Sequence, residues 1–165
     1  MNNYITDVTN EDWGNTWNLC RDLFVILIFA HNTISEVSYT AISLGWGWNR
    51  TVGCMRNNTV HANLIHHYAK HMYDVAGIYT LGSQPHSFIT ENCVHSIYKP
   101  GYVHDPNHWF YLYTDEGSSF ITVRDNWTEA DKFLKNANGP GNVWENNGPT
   151  VNDSIKVKAG VASID

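Results

Sequence analysis

Charge is the first thing this sequence lacks. Asp, Glu, Lys and Arg make up 16% of its 165 residues, and only 10 residues are Lys or Arg, against roughly 25% charged in an average domain. The net charge is −6. A phosphate-binding surface needs clustered Lys and Arg, so nucleic acid is excluded as a partner. Cysteine is scarce too. Cys20, Cys54 and Cys93 are odd in number and form no C-x-x-C pair, which leaves neither a disulfide framework nor a cysteine zinc site. They read as small buried or half-buried apolar residues.

Long apolar runs are also missing. The longest, LFVILIFA at 23–30, is far short of the ~20 residues that span a bilayer, so no membrane partner is expected. The opening MNNYITD has neither the charged nor the apolar region of a signal peptide. Either the protein is cytoplasmic or its natural start is missing. The length suits one domain with a real core.

What is present is 19 Asn, 9 Tyr and 7 Trp. A surface rich in amides and aromatic rings but poor in charge suits neutral polar ligands such as sugars, although β-rich folds share that composition. The asparagines are not scattered at random. An Asn-x-apolar unit recurs at Asn3, Asn32, Asn63 and Asn92, with a weaker member at Asn126, at intervals of 29, 31, 29 and 34. A last member falls at Asn146. Three residues before the anchors stand Phe29, Val60, Ile89, Val123 and Val143. Two after stand Ile5, Ile34, Ile65, Val94 and Thr128. Five before, the set is mixed: Leu27, Asn58, Ser87 and Ile121. Period-2 alternation up to the anchor and again just past it places a strand on each side of a turn.

Helical repeats of similar length are rich in Ala and Leu. These units are rich in Val, Ile, Thr, Tyr and Trp, which favour strands. The fold that follows is all-β: a right-handed parallel β-helix of about four to five coils, stacked ~4.8 Å apart. Stacked Asn side chains in the turn satisfy backbone groups of neighbouring coils that burial would otherwise leave without partners. A second strand per coil starts fourteen residues before the next anchor, at Ile78 and Leu112. AISLGWGW at 41–48 is its counterpart before Asn63, with a longer turn. Segment 128–137 reads as a short helix or one more irregular strand. The whole of 1–165 is one domain, with 1–31 atypical and 139–165 the last coil and tail. The chain begins partway round a coil, which predicts missing N-terminal coils of a longer parent chain.

The stretches NTISEVSYTAISLGWGW (32–48), GIYTLGSQP (77–85), LYTDEGSS (112–119) and NNGPTVNDSIKVKAG (146–160) resemble the C-terminal portion of the pectate-lyase-like parallel β-helix proteins. Within that superfamily they are most similar to bacterial secreted carbohydrate-active enzymes, many of them glycoside hydrolases. The resemblance covers about residues 32–160. It implies a polysaccharide or oligosaccharide partner, and a secreted or periplasmic location for the parent chain.

Glycoside hydrolysis needs two carboxyl groups, ~5–5.5 Å apart for retention and ~6.5–9.5 Å for inversion. Asp115 is the first catalytic candidate: if Leu112 points inward, Tyr113 and Asp115 share the outer face. Glu116 begins the turn beside it, and Asp115-Glu116-Gly117 also reads simply as a polar β-turn. Asp74 is the third candidate, but the register that stacks Ile78 on Leu112 separates it from Asp115 by about seven residues, or roughly 23 Å at ~3.3 Å per residue.

Candidate sugar contacts are Tyr79 and Tyr113, which share a coil position. Trp46 and Trp48 join them, projecting to one side if GWGW is extended. So do His66 and His95, each three residues past an anchor. Each set has a structural reading as well: stacked tyrosines, a corner aromatic pair and a surface histidine ladder. His67 and His71 are four apart but lie in a turn, so no metal is assigned, and nothing calls for a cofactor. A glycosidase is the leading reading. A polysaccharide lyase needs basic residues near the site, and Arg124, Lys99 and Lys70 are dispersed. A non-catalytic carbohydrate-binding solenoid, or an inactive truncated fragment, is the third reading.

Overall fold

The computed structural model describes residues 1–11 and 26–162. Cys20 and the start of the apolar run, 23–25, lie outside the described residues. The strands come in chain order as β1 (Tyr4–Thr6) and β2 (Ile28–Ala30), then β3 (Thr33–Ser35), β4 (Ile42–Leu44) and β5 (Thr59–His61). The next coil holds β6 (Leu64–His66), β7 (Val75–Thr80) and β8 (Ser83–Thr90). It is followed by β9 (Cys93–His95), β10 (Trp109–Thr114) and β11 (Ser119–Arg124). The last holds β12 (Trp127–Thr128), β13 (Phe133–Lys135) and β14 (Val143–Glu145). A short helix, α1 (Ser154–Lys158), comes after them.

All strand pairs are parallel, and they sort into three sheets. Sheet A is β1-β3-β6-β9-β12, sheet B is β4-β7-β10-β13, and sheet C is β2-β5-β8-β11-β14. Each coil visits A, B and C once, which makes a parallel β-solenoid of about four turns. Its interior is filled by columns from the three faces. Ile34, Ile65 and Val94 come from sheet A; Ile42, Ile78 and Leu112 from sheet B; Val60, Ile89 and Val123 from sheet C; all are buried.

The turn from sheet C to sheet A is where the asparagines stand. Backbone and side-chain amides of Asn32 both donate to Asn63 Oδ1, at 3.0 and 2.8 Å. Asn63 does the same to Asn92 (2.9 and 2.9 Å) and Asn92 to Asn126 (3.0 and 2.9 Å). The second hydrogen of each amide reaches back to a carbonyl of the preceding coil: Asn63 to Phe29, Asn92 to Val60, Asn126 to Ile89. The column therefore uses both ends of every amide, and Asn32, Asn63, Asn92 and Asn126 are fully buried. The residue before each anchor is left-handed, with φ of +54° at His31, +50° at Ala62 and +55° at Glu91 and Asp125.

The last rung is Asn147, not Asn146. Asn126 donates to Asn147 Oδ1 at 3.2 and 2.8 Å, and Asn146 occupies the left-handed position, φ +46°. The inward residue of β14 is accordingly Trp144, paired with Val123, rather than Val143. Segment 128–137 contains strand β13, whose Phe133 pairs with Leu112 fourteen residues before Asn147. The mixed set five residues before the anchors is a second, partial column. Asn58 Oδ1 accepts from the Leu27 amide, Ser87 Oγ from Asn58 and Asn142 Oδ1 from Ile121.

Asn92→Ala is expected to lower stability by about 3 kcal/mol, because it leaves the buried Asn63 amide and Val60 carbonyl without partners. Asn3→Ala, at the exposed end of the column, should lose less than ~1 kcal/mol. Urea unfolding followed by circular dichroism measures both, and equal losses would contradict the supporting role of the buried rungs.

Candidate functional site

Sheet B breaks the alternation of its own strands. Val75 points in and Ala76 out. Past Gly77, Ile78 points in and Tyr79 out; Tyr111 and Leu112 likewise both belong to the core. Gly77 is required there, since a Cβ would come within 2.3 Å of Val94 and 3.0 Å of the Tyr111 carbonyl. The fully buried Tyr68 hydroxyl caps the kink by donating to the Phe110 carbonyl at 3.0 Å. The outer face of sheet B thereby gathers Ala76, Tyr79, Leu81, Phe110 and Tyr113 into one apolar cluster.

Asp115 ends this face. Its amide donates to the Thr80 carbonyl (3.0 Å), and its carbonyl accepts from Ser118 (3.1 Å). These bonds close a turn with Gly117 at φ +78°, as the third position of a type II turn requires. Glu116 sits exposed on that turn. The Asp115 carboxylate accepts from Tyr79 Oη at 2.6 Å and from Asn136 Nδ2 at 2.7 Å, one on each oxygen. Burial, then Asp115, holds the Tyr79 phenol far above its ordinary range. Burial, then Asp74 and Asp115, does so for Tyr113. The two tyrosines are neighbours as their coil position predicts, but edge-on, with centroids 4.8 Å apart at 83°. Asp115 is only 7% exposed.

Asp74 lies at the other end of sheet B, just before β7, with φ +55°. The expected register holds: Ile78 pairs with Leu112, so Asp74 stands opposite His108, seven residues before Asp115. Asp74 and Asp115 are not brought together as a carboxylate pair, and Tyr113 lies between them. Asp74 has a different partner. Its Oδ1 is 3.1 Å from His108 Nε2, with side chains 53% and 37% exposed. Half-buried Tyr39 is pushed up to about 12 by burial, then by Asp74. His108 was readable in the sequence, because the 34-residue offset that stacks Leu112 on Ile78 also stacks His108 on Asp74.

Trp46 and Trp48 do not form one platform. Gly45 and Gly47 both have φ near +90°, so GWGW is not extended. The rings meet edge-on, 5.3 Å apart at 64°. Their loop packs over the corners after β7 and β10. A Cβ on Gly117 would lie 2.4 Å from the Asn49 carbonyl, and Val52 bridges to Ser83. Trp48, 57% exposed, borders an open cavity of about 560 Å³ with Arg50 and Asn138.

His66 and His95 stack as expected, centroids 5.4 Å apart and 12° from parallel, on the outer face of sheet A. Burial lowers both imidazoles, His95 against the opposing pull of Glu129. His67 meets His66, and His71 meets Tyr102. Among the described residues no group of three His, Cys, Asp or Glu is placed to hold a metal ion. Cys93 is buried, with its thiol pushed up to about 11 by burial, and Cys54 is half-buried.

Five tyrosines in or beside these sites, Tyr39, Tyr68, Tyr79, Tyr111 and Tyr113, have raised phenols. The folded state keeps these protons where the unfolded chain loses them. Stability is therefore intact below pH ~10 and falls as pH rises through the folded values. Urea midpoints measured across alkaline pH should drop in step with phenolate absorbance. Full phenolate absorbance from an intact fold would contradict this packing.

No family model and no curated protein matches the chain. A solved structure named "Glycoside hydrolase" matches with a TM-score of 0.88 and 67% sequence identity over 98% of this chain. The match covers 27% of that protein, so the chain spans about a quarter of its length. By sequence and by shape, the chain is a parallel β-helix protein similar to one segment of a protein that bears the name glycoside hydrolase.

Proposed function

We propose that this chain is a β-helical part of a carbohydrate-active enzyme that hydrolyses glycosidic bonds in a polysaccharide or oligosaccharide. The observation that carries the reading is 67% identity, sustained over 98% of the chain, to a protein so named. The outer face of sheet B supplies the candidate chemistry. Asp115 accepts on both oxygens and is fixed in orientation by Tyr79 and Asn136, which suits a carboxylate acting as base or nucleophile. Glu116, exposed one residue further on the same turn, is the nearer candidate to exchange a proton. Asp74 with His108, at the far end of the sheet, is the alternative dyad.

A lyase on the same scaffold has less support. Lys70 is engaged by Glu36 at 3.2 Å, Arg124 lies 3.9 Å from Asp125, and Lys99 lies over Trp109. None is grouped with Asp115. A non-catalytic, sugar-binding solenoid has one specific observation behind it. Asp115 is buried with a donor on each oxygen, an arrangement that also serves purely to order Tyr79 and Asn136.

Incubating the 165-residue chain, and separately the longer similar protein, with a panel of polysaccharides distinguishes these readings. Hydrolysis releases reducing ends without the ultraviolet-absorbing double bond that a lyase creates. Asp115→Asn, which keeps the shape of the side chain, should lower kcat at least about a hundredfold with the circular dichroism spectrum unchanged. Undiminished turnover in that variant would remove Asp115 from the mechanism.

A further inference from the structure

The outer face of sheet A carries a cleft that the sheet B chemistry does not use. Its floor follows from the register: Leu64, Cys93 and Trp127 form one outward column. Two residues along, His66 and His95 form a second, continued by Glu129 past the end of β12. The chain after β14 then returns across this face. Gly160 N donates to the Ala62 carbonyl at 2.9 Å, and Val161 N to Thr33 Oγ1 at 3.2 Å. The return sets Lys156 of α1 over Trp127, its Nζ 4.4 Å from the ring centroid. Between this returning segment and the histidine column lies a cavity of about 400 Å³, lined by Leu64, Cys93, His95, Trp127, Glu129 and Lys156. That volume is within the ~300–1,000 Å³ of small-molecule sites.

The polar groups of the cleft are held in place with capacity to spare. Nδ1 of His66 is taken by His67 and Nδ1 of His95 by Ser96 Oγ, each at 2.8 Å. The Nε2 edges have no hydrogen-bond partner among the described residues. Glu129 Oε2 accepts from the Ser96 amide (2.9 Å) and the Tyr111 hydroxyl (3.3 Å), which fixes the carboxylate and leaves Oε1. Lys156 is already paired with Asp153 at 2.6 Å, so together with Glu129 the cleft carries no surplus of positive charge and does not favour an acidic sugar. Each remaining Nε2 can donate to or accept from a hydroxyl, according to the tautomer that its Nδ1 contact sets.

We propose that this cleft is a carbohydrate-binding subsite, separate from the Asp115 face. It takes one neutral sugar unit of a glycan, with the apolar face of the sugar on Leu64 and Trp127 and its hydroxyls on His95 and Glu129. The proposal rests on the carbohydrate reading above and adds to it where the glycan is held and of what charge class. The neighbouring His66 lets a longer chain continue along the stack.

The test is nuclear magnetic resonance of the histidine and tryptophan side chains during titration with xylo-, cello-, galacto- and manno-oligosaccharides, with oligogalacturonate as the acidic comparison. At least one neutral oligosaccharide should shift His66, His95 and Trp127 saturably, in the unsubstituted chain and in Asp115→Asn alike. Oligogalacturonate should not. His95→Ala, at a partly exposed position, should weaken binding about tenfold, and so should Trp127→Ala. If the tryptophan variant does not fold, the histidine variant decides. A glycan that is cleaved without moving these resonances would overturn the subsite and leave the hydrolase reading standing. Saturable shifts with no glycan cleaved would support the subsite and count against the hydrolase. Silence in both overturns the subsite, as does equal binding of the acidic oligosaccharide.

Discussion

One amide group stacked on the next holds this molecule in register. In the turn between sheets C and A, the asparagine oxygen of one coil receives two donors from the coil before, while its nitrogen returns to a carbonyl of that coil. A parallel stack has no hairpin to set its alignment, so something must fix which residue of one coil lies over which residue of the next. A fully buried side chain with one acceptor and two donors does this at each rung, because a slip by one position would strand all three groups in an apolar interior. The columns of Ile, Val and Leu inside, and the rows of Tyr, His and Asp outside, inherit their alignment from that turn.

Much of this was legible in the sequence because the constraint acts on one residue type at one position. The intervals between Asn32, Asn63, Asn92 and Asn126, the inward Phe29, Val60, Ile89 and Val123, and the pairing of His66 with His95 follow from it. The misplacement at Asn146 has an equally local cause. Two asparagines stand together there, and both suit the turn: one tolerates the left-handed backbone that precedes each rung, and the other supplies the amide. Spacing alone cannot separate those roles.

The candidate site was only partly legible, for reasons of conformation. Alternation predicts faces until it is interrupted, and the paired breaks at Gly77 and Tyr111 put consecutive residues on the same side. GWGW looks extended in writing, but two glycines with positive φ fold it back, and the rings lose their common plane. His108 lies in a proline-containing loop with no pattern of its own, and only the 34-residue offset from Asp74 marks it. The return of the C-terminal segment over sheet A depends on contacts more than a hundred residues apart in the chain, such as Val161 to Thr33. The result is two differently made outer faces. Sheet B carries a carboxylate surrounded by phenols, and sheet A carries a cleft between imidazoles and a lysine.

The unequal coils have a consequence of their own. The circuit from Asn126 to Asn147 closes in 21 residues, whereas those before it take 29 to 34. A bare triangular turn is therefore self-sufficient, and the surplus is ornament hung from the corners, where the Trp46 segment and the stretches before Asp74 and His108 reside. Such a scaffold separates architecture from inventory: corner segments can lengthen, shrink or be exchanged between related proteins while the spine stays aligned. Evolution can rewrite what the surface handles without refolding the trunk, and an engineer grafting a new recognition loop has the same freedom.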